Sequence, residues 1–514
     1  MRNVGLVGLC AVLCVIQWVA RYAAAPVADF TLDDWALLER AEAMHSWTDA
    51  FGMMIREPDR PVGAFLLAVV FRAFGEHLLW YHVLSMFMTS VAMLLVIGMV
   101  WHIFPNKKWI MAVGVLFGTF PNLTESYNWP TMIAYLPGIV AIPGSAYCFA
   151  VYLHGSRARY LFCSLLLFAI GLGTYEFGIL LPLAYACLAY ACHRPARSFR
   201  WILFYGAIIL VYLVWRFTSG FGMAHGVLFE SRSPSVSLYS LHYNARSIVS
   251  WWMGDHMLGA LQSGLSGFLS LSLWERRIFY LVNVTLCGIV VYLWGRFDKD
   301  AEPDSFQAPR FVWGVVLFGV VWAVLAHAPS LVAWTAGRLN YIPAIGVAVM
   351  GGLCIARSSR AGLVVLIIAM YFGLLAGQGT ARQWKDAGRM NRLLEQALRN
   401  EQQNWAKKEV VWLDTRSLRS RLSSHLNEKN PVQEKTWAYY GNAGLLRGFA
   451  PAAMVRRIRG KDDMPKVLLD VEHGALTVEG GLQWHDRYAP DGAHHITPMD
   501  EVYRIDVLEV FLAE

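Results

Sequence analysis

Long apolar runs are the feature that most constrains this chain. Most are about 17 to 25 residues long and carry almost no charge, which is the length that an α-helix needs to cross roughly 30 Å of hydrocarbon. Only 16% of the 514 residues are charged, whereas about a quarter are charged in a typical soluble domain. The sequence therefore predicts an α-helical polytopic membrane protein.

Eleven of these runs are predicted to be membrane spans. They cover residues 4–22, 79–104, 109–121, 131–153, 159–175, 177–192, 200–218, 276–296, 310–328, 339–356 and 361–378. The first run could instead open a cleaved signal peptide, because Arg2 precedes it and small residues follow at Ala23, Ala24 and Ala25. We favour a retained span, because the alternating topology of the other runs requires one.

Basic residues are concentrated in every second connection between the runs. If the N-terminus is cytoplasmic, the cytoplasmic connections hold Lys107 and Lys108, Arg157 and Arg159, Arg194, Arg197 and Arg200, Arg296, Lys299 and Arg310, and Arg357 and Arg360. Short basic loops of this kind stay in the cytoplasm. The net charge of +7 is therefore interpreted as a topology signal, and no nucleic-acid partner is expected.

The remaining connections are predicted on the extracytoplasmic face, in segments 23–78, 122–130 and 219–275, together with the tail. Within the first of these, residues 61–74 are amphipathic and predict a helix lying at the membrane interface. The sequence thus divides into a transmembrane domain, 1–380, and a C-terminal domain, 381–514. The localisation that fits is a bacterial inner membrane.

The tail has a different pattern from the spans. Residues 382–408 have helical periodicity, and residues 409–414, 466–471 and 501–512 have the composition of strands. The sequence predicts a small α/β or α+β domain here.

No residue pattern indicates a bound metal or nucleotide. Most of the eight cysteines lie in or beside apolar runs without a CxxC pair, so they are interpreted as small buried hydrophobic residues. His494 and His495 lack the spacing of metal ligands, and no Walker loop or HExxH motif is present.

Asp33 and Asp34 form an acidic pair just beyond the first span. One of them could act as a general base that deprotonates an acceptor hydroxyl. The alternative is structural, because Thr31 followed by two acids also fits the N-cap and first turn of a helix.

Two further acids lie at or near predicted membrane boundaries. Glu125 shares the short loop 121–130 with Trp129 and could simply face water. Glu176 interrupts a largely apolar stretch, and a carboxylate at that depth usually lines a cavity or pairs with a cation.

Arg338 precedes Tyr341 in segment 336–343. A guanidinium at a membrane boundary can hold a phosphate through two parallel hydrogen bonds. The alternative is an interfacial anchor whose charged head reaches water while its stem stays in the lipid.

Taken in order, five segments resemble the polytopic GT-C glycosyltransferases, above all the protein O-mannosyltransferases and their transmembrane relatives with tetratricopeptide repeats. These are residues 30–34 with the acidic pair, 59–85 with an "RP" and then a "YH", 121–129 with "P…E…W", 172–176 in the place of "LSKE", and 338–343 similar to "R…Y.P". The likeness covers about residues 1–380.

The resemblance implies a polyprenyl-phosphate-linked sugar as donor, a glycan or protein as acceptor, transfer on the extracytoplasmic face and inversion at the sugar carbon. Asp33 would be the base, with Asp34 in the place of the second acid. Glu125 would line the acceptor or sugar site, Arg338 would hold the carrier phosphate, and the other substrate-binding candidates are Arg60, Trp129, Glu176 and Tyr341. No cofactor is required, although a divalent metal is compatible with this chemistry.

The chain also departs from that family. Tyr175 replaces the lysine of the "LSKE" motif, the tail shows no tetratricopeptide pattern, and segment 219–275 is short for an added sugar-binding domain. These differences leave the sugar and the acceptor open. A transporter or flippase of a lipid-linked glycan is the alternative function, although no repeated halves are visible, and a non-catalytic membrane assembly protein is a third.

Overall fold

The structure is a computed structural model. It describes residues 2–23, 38, 46–56, 60–123, 130–155, 157–192, 198–218, 242, 245–246, 248–250, 252, 255–297, 308–332, 340–408, 410–414, 454, 466–469, 476–478, 481–485 and 494–506.

Helices dominate the described residues. In chain order they are α1 (Arg2–Arg21), α2 (Trp47–Arg56), α3 (Pro61–Phe74), α4 (Leu78–Ile103), α5 (Lys107–Thr119), α6 (Leu136–Gly155), α7 (Ala158–Leu172), α8 (Leu181–Ala191), α9 (Ser198–Thr218), α10 (Asp255–Leu269), α11 (Leu273–Phe297), α12 (Pro309–Val332), α13 (Tyr341–Arg357), α14 (Ser359–Asn400) and α15 (Gln402–Trp405). Short 3₁₀ turns lie at Pro121–Leu123, Pro130–Ala134, Glu176–Gly178 and Met499–Glu501.

Each of the eleven predicted apolar runs contains one of these helices. Among the described residues, five helical stretches are long and apolar enough to cross a membrane: Leu78–Ile103, Met132–Gly155, Leu273–Phe297, Pro309–Pro329 and Arg360–Asn400. The chain is thus a multi-pass helical membrane protein. Several of the other helices, among them α1, α7, α8, α9 and α13, are apolar but shorter, so the count of eleven spans stays a prediction.

Close helix packing depends on residues without a side chain. A Cβ added to Gly379 of α14 would lie 1.7 Å from the Gly264 oxygen of α10, and one added to Gly346 of α13 would lie 2.4 Å from the Gly319 oxygen of α12. These backbones touch, as small residues allow in membrane bundles. Helix α10 lies inside segment 219–275, where the sequence had predicted only an extracytoplasmic connection.

Buried amides also join the helices. Asn283 of α11 donates from Nδ2 to Oε1 of Gln378 at 3.1 Å, and Gln378 of α14 donates from Nε2 back to Oδ1 of Asn283 at 2.9 Å. Both side chains are fully buried. Each amide therefore satisfies the other in an apolar interior, where an unpaired polar group is costly.

Helix α14 is much longer than a membrane is thick. The sequence predicted a span over 361–378 and a separate helical segment from 382, but the helix runs without a break for 42 residues, about 63 Å at 1.5 Å per residue. No proline interrupts it. Its two glycines near the junction do not break it, because Gly377 and Gly379 are in contact with α1 and α10. The predicted domain boundary at 380 falls within this helix, and the division into two domains stays a prediction.

The described residues of the tail form two small sheets. The strands are β1 (Val410–Asp414), β2 (Lys466–Leu469), β3 (Leu476–Val478), β4 (Gly481–His485), β5 (His494–Thr497) and β6 (Val502–Asp506). In one sheet β1 lies between β2 and β6 and is parallel to both, while β3, β4 and β5 form an antiparallel sheet. Strands are therefore found within all three predicted segments of the tail.

The central strand β1 is buried on both faces, which explains its apolar sequence. Val411 and Leu413 belong to the same core cluster as Leu394, Leu398 and Trp405 at the end of α14 and in α15. The alternate residues, Val410 and Trp412, pack with Leu482 of β4 and Val502 of β6.

A polar contact also ties the tail to the helix. The hydroxyl of Tyr503 in β6 donates to Oε2 of Glu401 at 2.9 Å, and burial together with this bond raises the pKa of Tyr503. The sheet that holds Tyr503 is thus attached directly to the end of α14.

Candidate functional site at one end of the bundle

Cations and aromatic rings mark the end of the bundle that the sequence predicts to be cytoplasmic. Lys107 lies 5.3 Å from the ring centroid of Phe297, and Arg310 lies 4.7 Å from that of Tyr190. Such pairs are typical of helix ends at a membrane surface, where amphipathic rings and long cationic side chains are enriched. The candidate site lies at the opposite ends of the same helices.

Arg60 is held between two tyrosine rings. It occupies the N-cap position of α3, where Pro61 favours the start of a helix because its missing N–H needs no partner there. Its guanidinium carbon lies 4.3 Å from the ring centroid of Tyr175, and Nη1 donates to the hydroxyl of Tyr135 at 2.9 Å. The planar cation is therefore fixed by a cation–π contact and a hydrogen bond at once.

The start of α3 is also attached to neighbouring segments by its backbone. The Val62 N–H donates to the Gly173 carbonyl at 3.0 Å, just before the turn that carries Glu176. One residue later, Gly63 packs so closely that an added Cβ would lie 2.3 Å from the Ala134 oxygen. Three distant parts of the sequence meet here.

Glu176 forms an ion pair with Arg216 near the end of α9. The two side chains are 19% and 9% exposed, so the pair is largely removed from water. Nη1 of Arg216 also donates to the hydroxyl of Tyr212 at 2.7 Å. The carboxylate of Glu176 thus pairs with a cation, and its predicted role in substrate binding stays a prediction.

A small cavity lies beside these charged groups. Its lining includes Tyr135 and Tyr175, which hold Arg60, and Phe177, which follows Glu176 in the chain. Tyr341 and Ile342, at the start of α13, line it from another side. The walls are mostly apolar and aromatic.

Aromatic contacts continue from the cavity across the same end of the bundle. The Tyr341 ring packs edge-on against Phe117 at a centroid distance of 5.1 Å. Phe120, three residues after Phe117, packs against Trp252 at a centroid distance of 5.1 Å. The Phe120 carbonyl accepts a hydrogen bond from the Arg21 guanidinium. Arg21 is fully buried at the end of α1.

The structure brings together the three described members of the predicted site. Tyr341 lines the cavity, and Arg60 contacts the lining residues Tyr135 and Tyr175. Glu176 lies in the chain between Tyr175 and Phe177, which both line the cavity. The other predicted site residues lie outside the described part of the chain, and for them the sequence-based prediction stands as it was made. They are Asp33, Asp34, Glu125, Trp129 and Arg338.

Sequence reasoning missed Arg216 and Tyr135. Arg216 had a visible signal, because it is the one charged residue between Ile202 and Thr218 in a predicted span, and such a residue usually has a partner. Tyr135 had none, since a tyrosine at the start of an apolar run is ordinary.

Metal binding has no support among the described residues. No three His, Cys, Asp or Glu side chains in that part of the chain are grouped as metal ligands. The expectation that no metal is required stays a prediction.

Comparisons with known proteins add a weak structural likeness. No protein-family profile matches the chain, and no curated protein matches it. The crystal structure of ArnT from Cupriavidus metallidurans bound to undecaprenyl phosphate is similar with a TM-score of 0.37 and 12% sequence identity, over 90% of this chain and 89% of that one. A likeness at this score carries no argument about function.

Proposed function

We propose that this protein is a membrane glycosyltransferase of the GT-C type. It would transfer a sugar from a polyprenyl-phosphate-linked donor to a glycan or protein acceptor on the extracytoplasmic face. The proposal rests on the order of the sequence motifs and on the geometry of the described residues.

The observation that carries the proposal is the convergence of motif residues around one cavity. Arg60, from the "RP" segment, stacks on Tyr175 of the "LSKE"-like segment. Tyr341, from the "R…Y.P" segment, lines the cavity together with Tyr175. These segments are far apart in the sequence, and they meet at one end of the bundle.

The cavity suits the interface between lipid and water. A polyprenyl chain stays in hydrocarbon while its phosphosugar emerges at the boundary, so the reacting groups must lie at the ends of spans. Arg60, which contacts two tyrosines of the cavity wall, is a cation that can bind the phosphate.

In the proposed reaction the acceptor hydroxyl oxygen attacks the anomeric carbon of the sugar. A new carbon–oxygen bond forms as the bond to the carrier phosphate breaks, which inverts the configuration at that carbon. Asp33, beside Asp34, takes the hydroxyl proton as general base. The bonding electrons leave with the phosphate oxygen, whose charge Arg338 stabilises, so that no metal is strictly required.

The remaining roles follow from position and chemistry. Glu125 and Trp129 would contact the acceptor or the sugar, and Arg60 would present a fixed cation close to the donor phosphate. The Glu176–Arg216 pair would hold the turn that carries Tyr175 and Phe177. The protein would lie in a bacterial inner membrane with a cytoplasmic N-terminus and an extracytoplasmic tail.

Transfer can be tested with the full-length protein in native membrane vesicles supplied with a labelled polyprenyl-phosphate sugar. We expect Asp33→Asn and Arg338→Ala to abolish transfer while both proteins still insert and accumulate. The readouts are labelled product and released polyprenyl phosphate, so transfer is separated from movement of the intact lipid across the membrane.

Two variants serve as matched controls. Asp49→Asn changes another acid of segment 23–78, one that accepts a hydrogen bond from the Ser46 N–H at the start of α2. Arg310→Ala removes a cation that packs on Tyr190 at the opposite end of the bundle. Both should retain transfer, and full transfer by Asp33→Asn and Arg338→Ala would refute the mechanism.

A further inference from the structure

Asn340 is a buried polar side chain whose hydrogen-bonding groups are unused within the described structure. Only 1% of the residue is exposed. Neither Nδ2 nor Oδ1 has a hydrogen-bond partner there. A buried carboxamide in this state is costly, because it has given up water without replacing it.

The Asn340 side chain does not cap the helix that it precedes, which is the usual role of an asparagine at this position. Asn340 occupies the N-cap position of α13, where its side chain would normally accept a hydrogen bond from the second or third residue of the helix. Its backbone is helical instead of extended, with φ −82° and ψ −10°, and no side-chain cap bond forms. The third helical residue is Pro343, which has no N–H to offer. Capping therefore does not account for this residue.

Asn340 directly precedes two residues of the cavity wall in the chain. The next two residues in the chain, Tyr341 and Ile342, line the cavity wall. The Ile342 carbonyl accepts a hydrogen bond of 2.7 Å from Nε1 of Trp322, which fixes this end of α13 against α12.

A second unused group lies further along α12. His327, five residues beyond Trp322, is 5% exposed, and its Nε2 accepts a hydrogen bond of 2.8 Å from Nε1 of Trp252. A nitrogen that accepts this bond carries no proton, so in the neutral ring the proton lies on Nδ1. Nδ1 has no partner in the described structure. Helix α12 thus adds an open N–H donor toward the end at which α13 begins.

We propose that Asn340, supported by His327, forms a subsite that recognises hydroxyl groups of the transferred sugar. A carboxamide offers two N–H donors and a carbonyl acceptor, and a hydroxyl can both donate and accept. A phosphate dianion could satisfy only the N–H groups and would leave Oδ1 unpaired. The open groups of Asn340 therefore match a sugar better than the carrier phosphate. This assignment rests on the proposed function, which supplies the sugar.

The test compares Asn340→Leu with Asn283→Leu in the full-length protein in nanodiscs. Both positions are buried asparagines, but the Asn283 amide is paired with Gln378 whereas that of Asn340 is open. The probes are undecaprenyl phosphate and undecaprenyl phosphate carrying a hexose, with several hexoses compared. We measure the affinities for these probes and the melting temperatures in nanodiscs without added undecaprenyl lipid.

We expect Asn340→Leu to bind the best hexose-charged lipid about tenfold more weakly, the loss of roughly one hydrogen bond to a buried partner, and to bind uncharged undecaprenyl phosphate normally. Its melting temperature should equal or exceed that of the wild type, because an apolar group replaces an unpaired amide. Asn283→Leu should melt at a lower temperature and should not change the ratio of the two affinities.

Other outcomes overturn the assignment. Unchanged affinity for every charged lipid would remove Asn340 from the site, and an equal loss for charged and uncharged lipid would assign it to the phosphate. A melting temperature lowered as far as that of Asn283→Leu would make Asn340 a structural residue. If the wild type shows no preference for any charged lipid, the proposed function fails together with the sugar assignment, whereas a wild type with such a preference leaves only the subsite in question.

Discussion

Arg60 shows how much the chemistry of one side chain depends on shape as well as charge. Its guanidinium lies over the Tyr175 ring while Nη1 bonds to the Tyr135 hydroxyl. A planar, delocalised cation can do both at once, whereas a lysine ammonium is a compact and strongly hydrated point charge. The site therefore depends on arginine, not merely on a positive residue.

The first prediction follows from this difference. Arg60→Lys should lower kcat/KM for sugar transfer about tenfold or more, close to the effect of Arg60→Ala, because the stacked and hydrogen-bonded geometry is lost. Arg72→Lys is the matched control on the same helix, since Arg72 lies over the exposed Trp47 ring, 5.2 Å from its centroid. The measurement is kcat/KM for sugar transfer in membrane vesicles. Wild-type activity in Arg60→Lys would contradict the prediction.

The second prediction concerns the ion pair beside the cavity. Glu176→Gln leaves the Arg216 charge in a site that is only 9% exposed, and we expect it to lower the free energy of unfolding by about 2 kcal/mol. Replacing both partners, as in Glu176→Gln with Arg216→Met, removes the stranded charge and should recover at least half of that loss. Thermal unfolding of the purified protein in detergent measures this cycle. A double variant less stable than Glu176→Gln alone would show that the charge is not the cause.

At the scale of elements, the helices follow from local sequence but their contacts do not. An apolar run of sufficient length specifies a helix in a membrane because every backbone polar group must be satisfied within the segment. Which helices touch depends on small residues whose partners are far away in the sequence. Gly379 and Gly264 are the clearest case, because their backbones leave no room for a side chain.

The third prediction tests that contact. Gly379→Ala should destabilise the protein by about 2 kcal/mol or more, because its Cβ would overlap the backbone of α10 and force the helices apart. Gly288→Ala is the control, since nothing lies within 4 Å of a Cβ placed on that glycine in α11. There, a gain of about 0.5 kcal/mol is expected from the helix propensity of alanine. Both are measured as shifts in melting temperature, and equal behaviour of the two variants would disprove the packing argument.

At the scale of the whole molecule, topology is the property that the sequence constrains best. The basic connections predict that the Lys107 end of the bundle lies in the cytoplasm and the Arg60 end outside. A fourth prediction follows for two exposed turns. In a cysteine-free background, Glu76→Cys should react with a membrane-impermeant maleimide in intact spheroplasts, and Ser358→Cys only after permeabilisation. The reverse pattern would invert the orientation and move the proposed site to the cytoplasm.

The sequence predicts which residues belong to the site better than it predicts which of them touch. Arg60, Glu176 and Tyr341 were predicted from motif order, and their roles stay predictions. In the structure Tyr341 lines the cavity, Arg60 contacts two of its tyrosines, and Glu176 lies between two lining residues in the chain. The sequence suggested that Glu176 and Arg216 each need a partner but not that they pair with each other, because nothing in a single sequence says that the end of α9 meets the turn after α7. The open amide of Asn340 was equally hidden, since the sequence shows an asparagine before a helix and predicts an ordinary cap.

The continuous α14 has a mechanical consequence. Beyond Gly379 it continues for about 21 residues, or about 32 Å, and Gln383, Trp384 and Asn391 on this stretch are buried. Its far end contacts β1 and β6 through Trp405 and Tyr503. One continuous helix therefore joins the tail sheet to the backbone contact between Gly379 and Gly264. A displacement of the tail sheet would have to be accommodated at that contact or within the buried stretch of the helix.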